Sequence, residues 1–369
     1  MLGLFTWGLV ALASKAQAAV PLVASPTDVT HSNTPFSEHR GIEPFTLRLG
    51  YDTASVCNSS TPGTSGFITS KDSRGGKNSI FFWPFESKND PKSDPVILWM
   101  TGSQGLHDAS TTMDQFLRQF MIAFPDLADR DFIIAGESYG GSWVPALATT
   151  ILQSQGDTSD DVKPVRVQGG DRGAASPSYD SHNRPHINLK GVMIGNCLIR
   201  RSVQNIGFFE TVCAGPDNLF NTSQCLQWAP LAMWCEEHLV VCETDGMTST
   251  TCKEAEEKCN AISRVVVEEM HRNPYDFRQE CHDPEACYSE MKHINEYLNR
   301  TYVEQALGVL EDVPFVGISC DVLEQWEKVG DLWRSSDNHV NYLLKSNIRV
   351  LIYVGDKDLY CNSADASPR

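Results

Sequence analysis

Gly136-Glu137-Ser138-Tyr139-Gly140 fits the pattern G-x-S-x-G. The chemistry such a pattern serves is acyl transfer, in which a serine hydroxyl attacks a carbonyl carbon and holds the acyl group for a time. The pentapeptide says little alone, because an ordinary strand-to-helix turn with a serine in it reads the same way. Its surroundings carry more. Phe132-Ile133-Ile134-Ala135 ahead of it is an apolar run of strand length, and Val144 to Gln153 behind it suits a helix. A serine on so sharp a turn projects its hydroxyl, and small residues flank it because a Cβ there would clash.

Other elements must hold that turn in place. Pro95-Val96-Ile97-Leu98-Trp99-Met100, Gly191-Val192-Met193-Ile194-Gly195 and Val350-Leu351-Ile352-Tyr353-Val354 each predict a buried strand. Met113, Phe116, Leu117, Phe120, Met121 and Phe124 recur at helical spacing, with Thr112 and Gln115 placed to cap that helix. Strands alternating with helices imply an α/β protein with a mostly parallel sheet. Upstream, Phe45 to Ser87 is β-like, with Phe67-Ile68 and Ile80-Phe81-Phe82-Trp83 as hairpin arms around Ser73-Arg74-Gly75-Gly76. Residues 156–184 have no apolar period and read as a surface loop.

Between the last two strands the pattern changes. Eight of the twelve cysteines lie from Cys213 to Cys287. Cys235 and Cys242 are two helical turns apart, as are Cys252 and Cys259, so each pair lies on one helix face. Two antiparallel helices would be stapled Cys235–Cys259 and Cys242–Cys252. Cys213–Cys225 and Cys281–Cys287 are natural short closures. No C-x₂₋₄-C spacing points to zinc, and no metal or other cofactor is expected.

Leu2 to Ala13 is apolar but too short to span a bilayer, and Ala16-Gln17-Ala18 offers small residues for signal cleavage. With the cysteines this predicts an oxidising, secretory route. Sequons stand at Asn58, Asn221 and Asn299. A net charge of −17 argues against nucleic-acid partners. The expected layout is residues 1–18 signal peptide, 19–44 mature N-terminal segment, 45–199 first part of the α/β core, 200–320 helical disulfide-rich insertion, and 321–369 second part of the core.

Several segments together resemble the serine carboxypeptidase family, its fungal members in particular. They are Gly136 to Gly141 with Val144-Pro145, Phe81-Phe82-Trp83-Pro84-Phe85-Glu86-Ser87 with Asn89-Asp90-Pro91, Asp94 to Trp99, Ile194-Gly195-Asn196, the cysteine spacing from 213 to 287, and Tyr353 to Asn362. The resemblance runs from about Ser65 to Asn362. It implies an α/β-hydrolase fold and removal of C-terminal residues from peptides or proteins. Ser138 would be the nucleophile and Asp358 the acid that orients a histidine. The oxyanion hole would use the N–H of Tyr139 and one from the loop at Ser103. Trp99, Thr101 and Glu137 would receive the substrate carboxylate, with Glu137 sharing a proton, which suits an acidic optimum.

Two blocks depart from the family pattern. After Gly105 the sequence passes almost at once into the Met113 helix, without the family's further strand, so the sheet is expected to be incomplete, with exposed edges. The family partner of Cys320 goes with it. Cys57 would take its place, leaving Cys197 and Cys361 as thiols, the latter at the active site by resemblance. None of the ten histidines follows Asp358, so the family's base is missing and residual catalysis is expected. His107 and His339 are weak replacements. Three functions are therefore weighed: a serine carboxypeptidase whose sequence here is incomplete; a non-catalytic secreted relative that binds peptides or partners; and an esterase or acyltransferase on the same fold.

Overall fold

The computed structural model describes residues 46–49, 53, 56, 63–71, 77–100, 106–156, 185–214, 218–245, 250–281, 287, 288, 290–309, 314–317 and 334–363. The signal segment, Cys57, Asn58, Thr101, Ser103, Cys320 and the loop after Gly156 lie outside them.

Two sheets form the first layers. Strands β1 (Thr46–Leu49), β2 (Gly66–Lys71) and β3 (Lys77–Phe82) make an antiparallel meander, with the β2–β3 hairpin in the expected place. Strands β4 (Val96–Met100), β5 (Phe132–Ser138), β6 (Leu189–Cys197) and β9 (Arg349–Tyr353) form a parallel sheet in that order. Helix α1 (Leu106–Ala123) links β4 to β5, and α2 (Gly140–Ser154) links β5 to β6. Phe82 of β3 packs edge-on against Phe120 and Phe124, which joins the meander to α1. Helix α1 starts at Leu106, so Thr112 and Gln115 stand inside it instead of capping it. The polar stretch before Met113 carries no Pro or Gly that would stop a helix.

The parallel strands are more deeply buried on one face than on the other. Leu98, Ile134, Val192 and Val350 share a register row under the helices, and Ile134 and Val192 are fully buried. On the other face Ile97 is 55% and Leu351 50% exposed. The expectation of buried strands therefore fails at β4 and β9. Both are edges of the sheet among the described residues, where exposed edges are expected.

The helical insertion lies between β6 and β9 and comprises α3 (Arg201–Ala214), α4 (Thr222–Asp245), α5 (Thr250–Arg264), the hairpin β7 (Arg272–Asn273) and β8 (Asp276–Glu280), α6 (Glu290–Leu298) and α7 (Thr301–Leu307). Helix α8 (Asp337–Lys345) then leads into β9. Cys235–Cys259 and Cys242–Cys252 staple α4 to α5, and Cys213–Cys225 and Cys281–Cys287 close short loops. All four are the pairings expected from spacing.

Helix α2 contains Pro145, which has no N–H for the carbonyl of Gly141 four residues back. Ser336, at the start of α8, donates its Oγ–H to that carbonyl at 2.7 Å. A defect inside one helix thus becomes the anchor for the next. Gly141 is constrained on its other side as well. A Cβ there would lie 2.6–2.7 Å from the backbone of Leu198, which is itself fixed by donating to the Ser138 carbonyl at 2.9 Å. Gly140 has room, since an added Cβ would meet only Val144 at 3.9 Å. Gly141→Ala is expected to cost about 1–3 kcal/mol, and Gly140→Ala distinctly less; thermal unfolding of the two variants checks the order.

Candidate active site

Ser138 ends β5 with φ of 59°, a left-handed conformation that non-glycine residues avoid. Tyr139 returns to helical angles and opens α2. The chain reverses so sharply because Gly136 admits Val144 closely; an added Cβ would meet its Cγ2 at 2.7 Å. The result is an exposed serine at the N-terminal end of α2. The helix dipole favours negative charge at that end.

Asp358 arrives on the turn after β9 and is buried. Its Oδ2 accepts a hydrogen bond from Asn196 Nδ2 at 2.8 Å, and its Oδ1 one from the Cys361 N–H at 2.9 Å. Burial pushes its carboxyl above the usual range, against the pull of those two donors. Cys361 Sγ lies 4.0 Å from Ser138 Oγ, so residues 138, 358 and 361 form one cluster. Cys197 is buried beside it, paired in register with Ser138.

Glu137 and Trp99 share the more open face of the sheet. Trp99 pairs with Ala135, two residues before Glu137 on β5, so the alternation of a strand puts both side chains on one side. Trp99 Nε1 is buried and has no acceptor among the described residues. Glu137 is held above the usual carboxylate range by burial first and by the nearby Asp358 charge second. In the same row, Gly195 leaves a slot in which the ring of Tyr353 lies. A Cβ on Gly195 would meet that ring at 2.5 Å. Burial and the Glu137 charge both push the Tyr353 phenol up.

Residue order alone shows neither Asn196 as a partner of Asp358, although Asn196 stands at a strand end that resembles the family's, nor Tyr275. The hairpin carrying Tyr275 is tied to the Asp358 turn by Phe277 N–H to the Lys357 carbonyl at 3.2 Å and Leu359 N–H to the Pro274 carbonyl at 2.8 Å. Tyr275 stands edge-on to Tyr360 with centroids 5.7 Å apart, and its phenol is pushed up to about 12 by burial and by Tyr360, Cys361 and Asp358. Only the spatial meeting of two distant segments reveals this wall. Among the described residues no histidine contacts Asp358 or Ser138 Oγ. His238 stacks on Trp234, and His293 pairs with Glu296. No cluster of three metal-ligating side chains occurs among the described residues, and no helix there is long and apolar enough to cross a membrane.

The family profile described as serine carboxypeptidase matches residues 57–106 and 103–367. The chain belongs to the serine carboxypeptidase family. It is 28% identical to carboxypeptidase Y of Schizosaccharomyces pombe, over 96% of this chain and 40% of that protein. It is 26% identical to carboxypeptidase Y of Komagataella phaffii, over 77% of this chain and 59% of that protein. The chain thus spans about half the length of these relatives. Among solved structures, a prohormone-processing carboxypeptidase from Saccharomyces cerevisiae aligns with a TM-score of 0.56 at 15% identity, covering 88% of this chain and 76% of that one, which shows the α/β-hydrolase fold. The four disulfides fit the oxidising secretory pathway.

The raised carboxyl of Glu137 has a consequence for stability. A group whose pKa is higher folded than unfolded stabilises the fold while protonated, and that contribution disappears as pH rises through its folded pKa. Glu137→Gln, which is neutral throughout, is expected to lose less stability than the parent chain between acidic and neutral pH. Thermal melts across that range compare the two slopes.

Proposed function

We propose that the site performs serine carboxypeptidase chemistry, releasing C-terminal residues from peptides or proteins through an acyl-enzyme on Ser138. The observation that carries this reading is the left-handed, exposed Ser138 clustered with the buried, doubly hydrogen-bonded Asp358. Asp358 is the acid, poised to orient an imidazole. The N–H of Tyr139, at the head of α2, and one from the loop at Ser103 receive the oxyanion.

A carboxypeptidase must also recognise a terminal carboxylate. Trp99 supplies a buried indole N–H in want of an acceptor, and Glu137 a carboxyl biased toward the protonated form. Both can donate to a carboxylate, Glu137 only while it keeps its proton, so binding weakens as pH rises. At position 101 a threonine stands where the family pattern has an asparagine, which takes an amide donor from this subsite. The protein travels the secretory pathway to the vacuole or the cell exterior.

Incubated with an N-blocked dipeptide at acidic pH, the protein is expected to release the C-terminal amino acid. The Ser138→Ala variant, and a substrate amidated at its C-terminus, should give markedly less. Equal release by Ser138→Ala rejects the nucleophile. Tight peptide binding with no release favours the non-catalytic relative, and ester turnover without amino-acid release favours an esterase.

A further inference from the structure

Two of the three sequons lie among the described residues, and their side chains are in opposite situations. Asn221 begins the sequon Asn221-Thr222-Ser223 and stands exposed just before α4. Its Oδ1 accepts from the Gln224 N–H at 3.0 Å, and its own backbone N–H donates to Gln224 Oε1 at 3.0 Å, a reciprocal cap. The cap uses only the amide oxygen. Asn221 Nδ2 makes no hydrogen bond among the described residues. Converting it to a substituted amide leaves the oxygen, and therefore the cap, as it is.

Asn299 begins the sequon Asn299-Arg300-Thr301, between α6 and α7. Its amide is fully engaged. Nδ2 donates to the Asn295 carbonyl at 2.8 Å and to the Phe315 carbonyl at 2.8 Å. Oδ1 accepts from the Phe315 N–H at 2.7 Å. The side chain thus pairs with Phe315 as a neighbouring strand would, and Asn295 Oδ1 extends the clasp to the Gly317 N–H at 3.1 Å. Both hydrogens of Nδ2 are in use and the residue is half-buried. A sugar on that nitrogen removes one of the two donors and places a bulky group in the seam with residues 314–317.

We propose that Asn221 is an N-glycosylation site and that Asn299, despite its sequon, is bare in the folded protein and serves as a structural clasp. In the transfer, an oligosaccharide leaves a lipid-linked pyrophosphate donor. The bond from sugar C1 to the pyrophosphate oxygen breaks with its electron pair on the pyrophosphate, the C1–Nδ2 bond forms, and one Nδ2 proton passes to a base of the transferase. The transfer precedes folding, so both sequons are open to it. Molecules modified at Asn299 cannot then close the clasp, and the folded population is drawn from those left bare there. The proposal rests on the secretory route and not on the catalytic reading, so its failure leaves that reading untouched.

The test is made on folded protein purified from a eukaryotic secretory host. Enzymatic deglycosylation in ¹⁸O-water converts each glycosylated Asn to ¹⁸O-labelled Asp, which peptide mass spectrometry locates. Label is expected at position 221 and absent at 299. Ser223→Ala, which removes the sequon without touching the cap, should abolish the label at 221. Thr301→Val, which removes the other sequon without touching the clasp, should leave the glycan mass unchanged. Asn299→Asp, which keeps the acceptor and loses both donors, should lower the melting temperature, whereas Ser223→Ala should not. Label at 299 in folded protein, or an unlabelled 221, overturns the proposal.

Discussion

Asn196 holds φ of 38°, a conformation favourable mainly to glycine and tolerated best by Asn among the others. From there its Nδ2 donates to Asp358 and its Oδ1 accepts from the Gly355 N–H at 3.3 Å. Both ends of the amide are therefore committed to the turn after β9. Two residues on, the Leu198 N–H holds the Ser138 carbonyl. The end of β6 thus grips β5 on one side and the Asp358 turn on the other. Residues 138 and 358, separated by most of the chain, meet because β6 lies between their strands.

Strain is concentrated at this point. Ser138 and Asn196 both occupy left-handed angles on adjacent strands, at a cost of order 1–3 kcal/mol each. The surroundings leave them little choice. Gly136 and Gly141 let α2 approach so closely that no side chain fits. Ser336 fixes the carbonyl that Pro145 orphans. Buried amides complete the frame: Gln204 donates to the Cys197 carbonyl at 2.7 Å, and Asn362 to the Gln204 and Leu359 carbonyls at 2.9 Å each. Close packing behind the serine holds its left-handed turn, and the same frame keeps Asp358 buried with its carboxyl raised.

Features with a short period or a local signature were legible from residue order. The parallel strands, the helix through Phe116 and Phe120, and the elbow all rest on neighbours within a turn or two. The α4–α5 staples were legible because seven residues return to the same helix face. Exposed sheet edges were legible in general, but not that β4 and β9 are those edges, since an apolar run looks the same at the edge of a sheet as at its centre. Nor was the wall made by Tyr275 and Tyr360, which depends on how a distant hairpin docks on the Asp358 turn. Asn196 stood in a recognisable strand end, but its donor role shows only when its partner, 162 residues away, is in place.

The end of β6 brings the elbow serine against the Asp358–Cys361 turn. Cross-linking is the test. In a Ser138→Cys variant the introduced sulfur replaces an oxygen that lies 4.0 Å from Cys361 Sγ. Under mild oxidation of folded protein, non-reduced peptide mapping should find position 138 linked to Cys361, with the four disulfides among the described residues unchanged. A thiol at 138 that stays reduced, or that pairs only with another cysteine, would contradict the account.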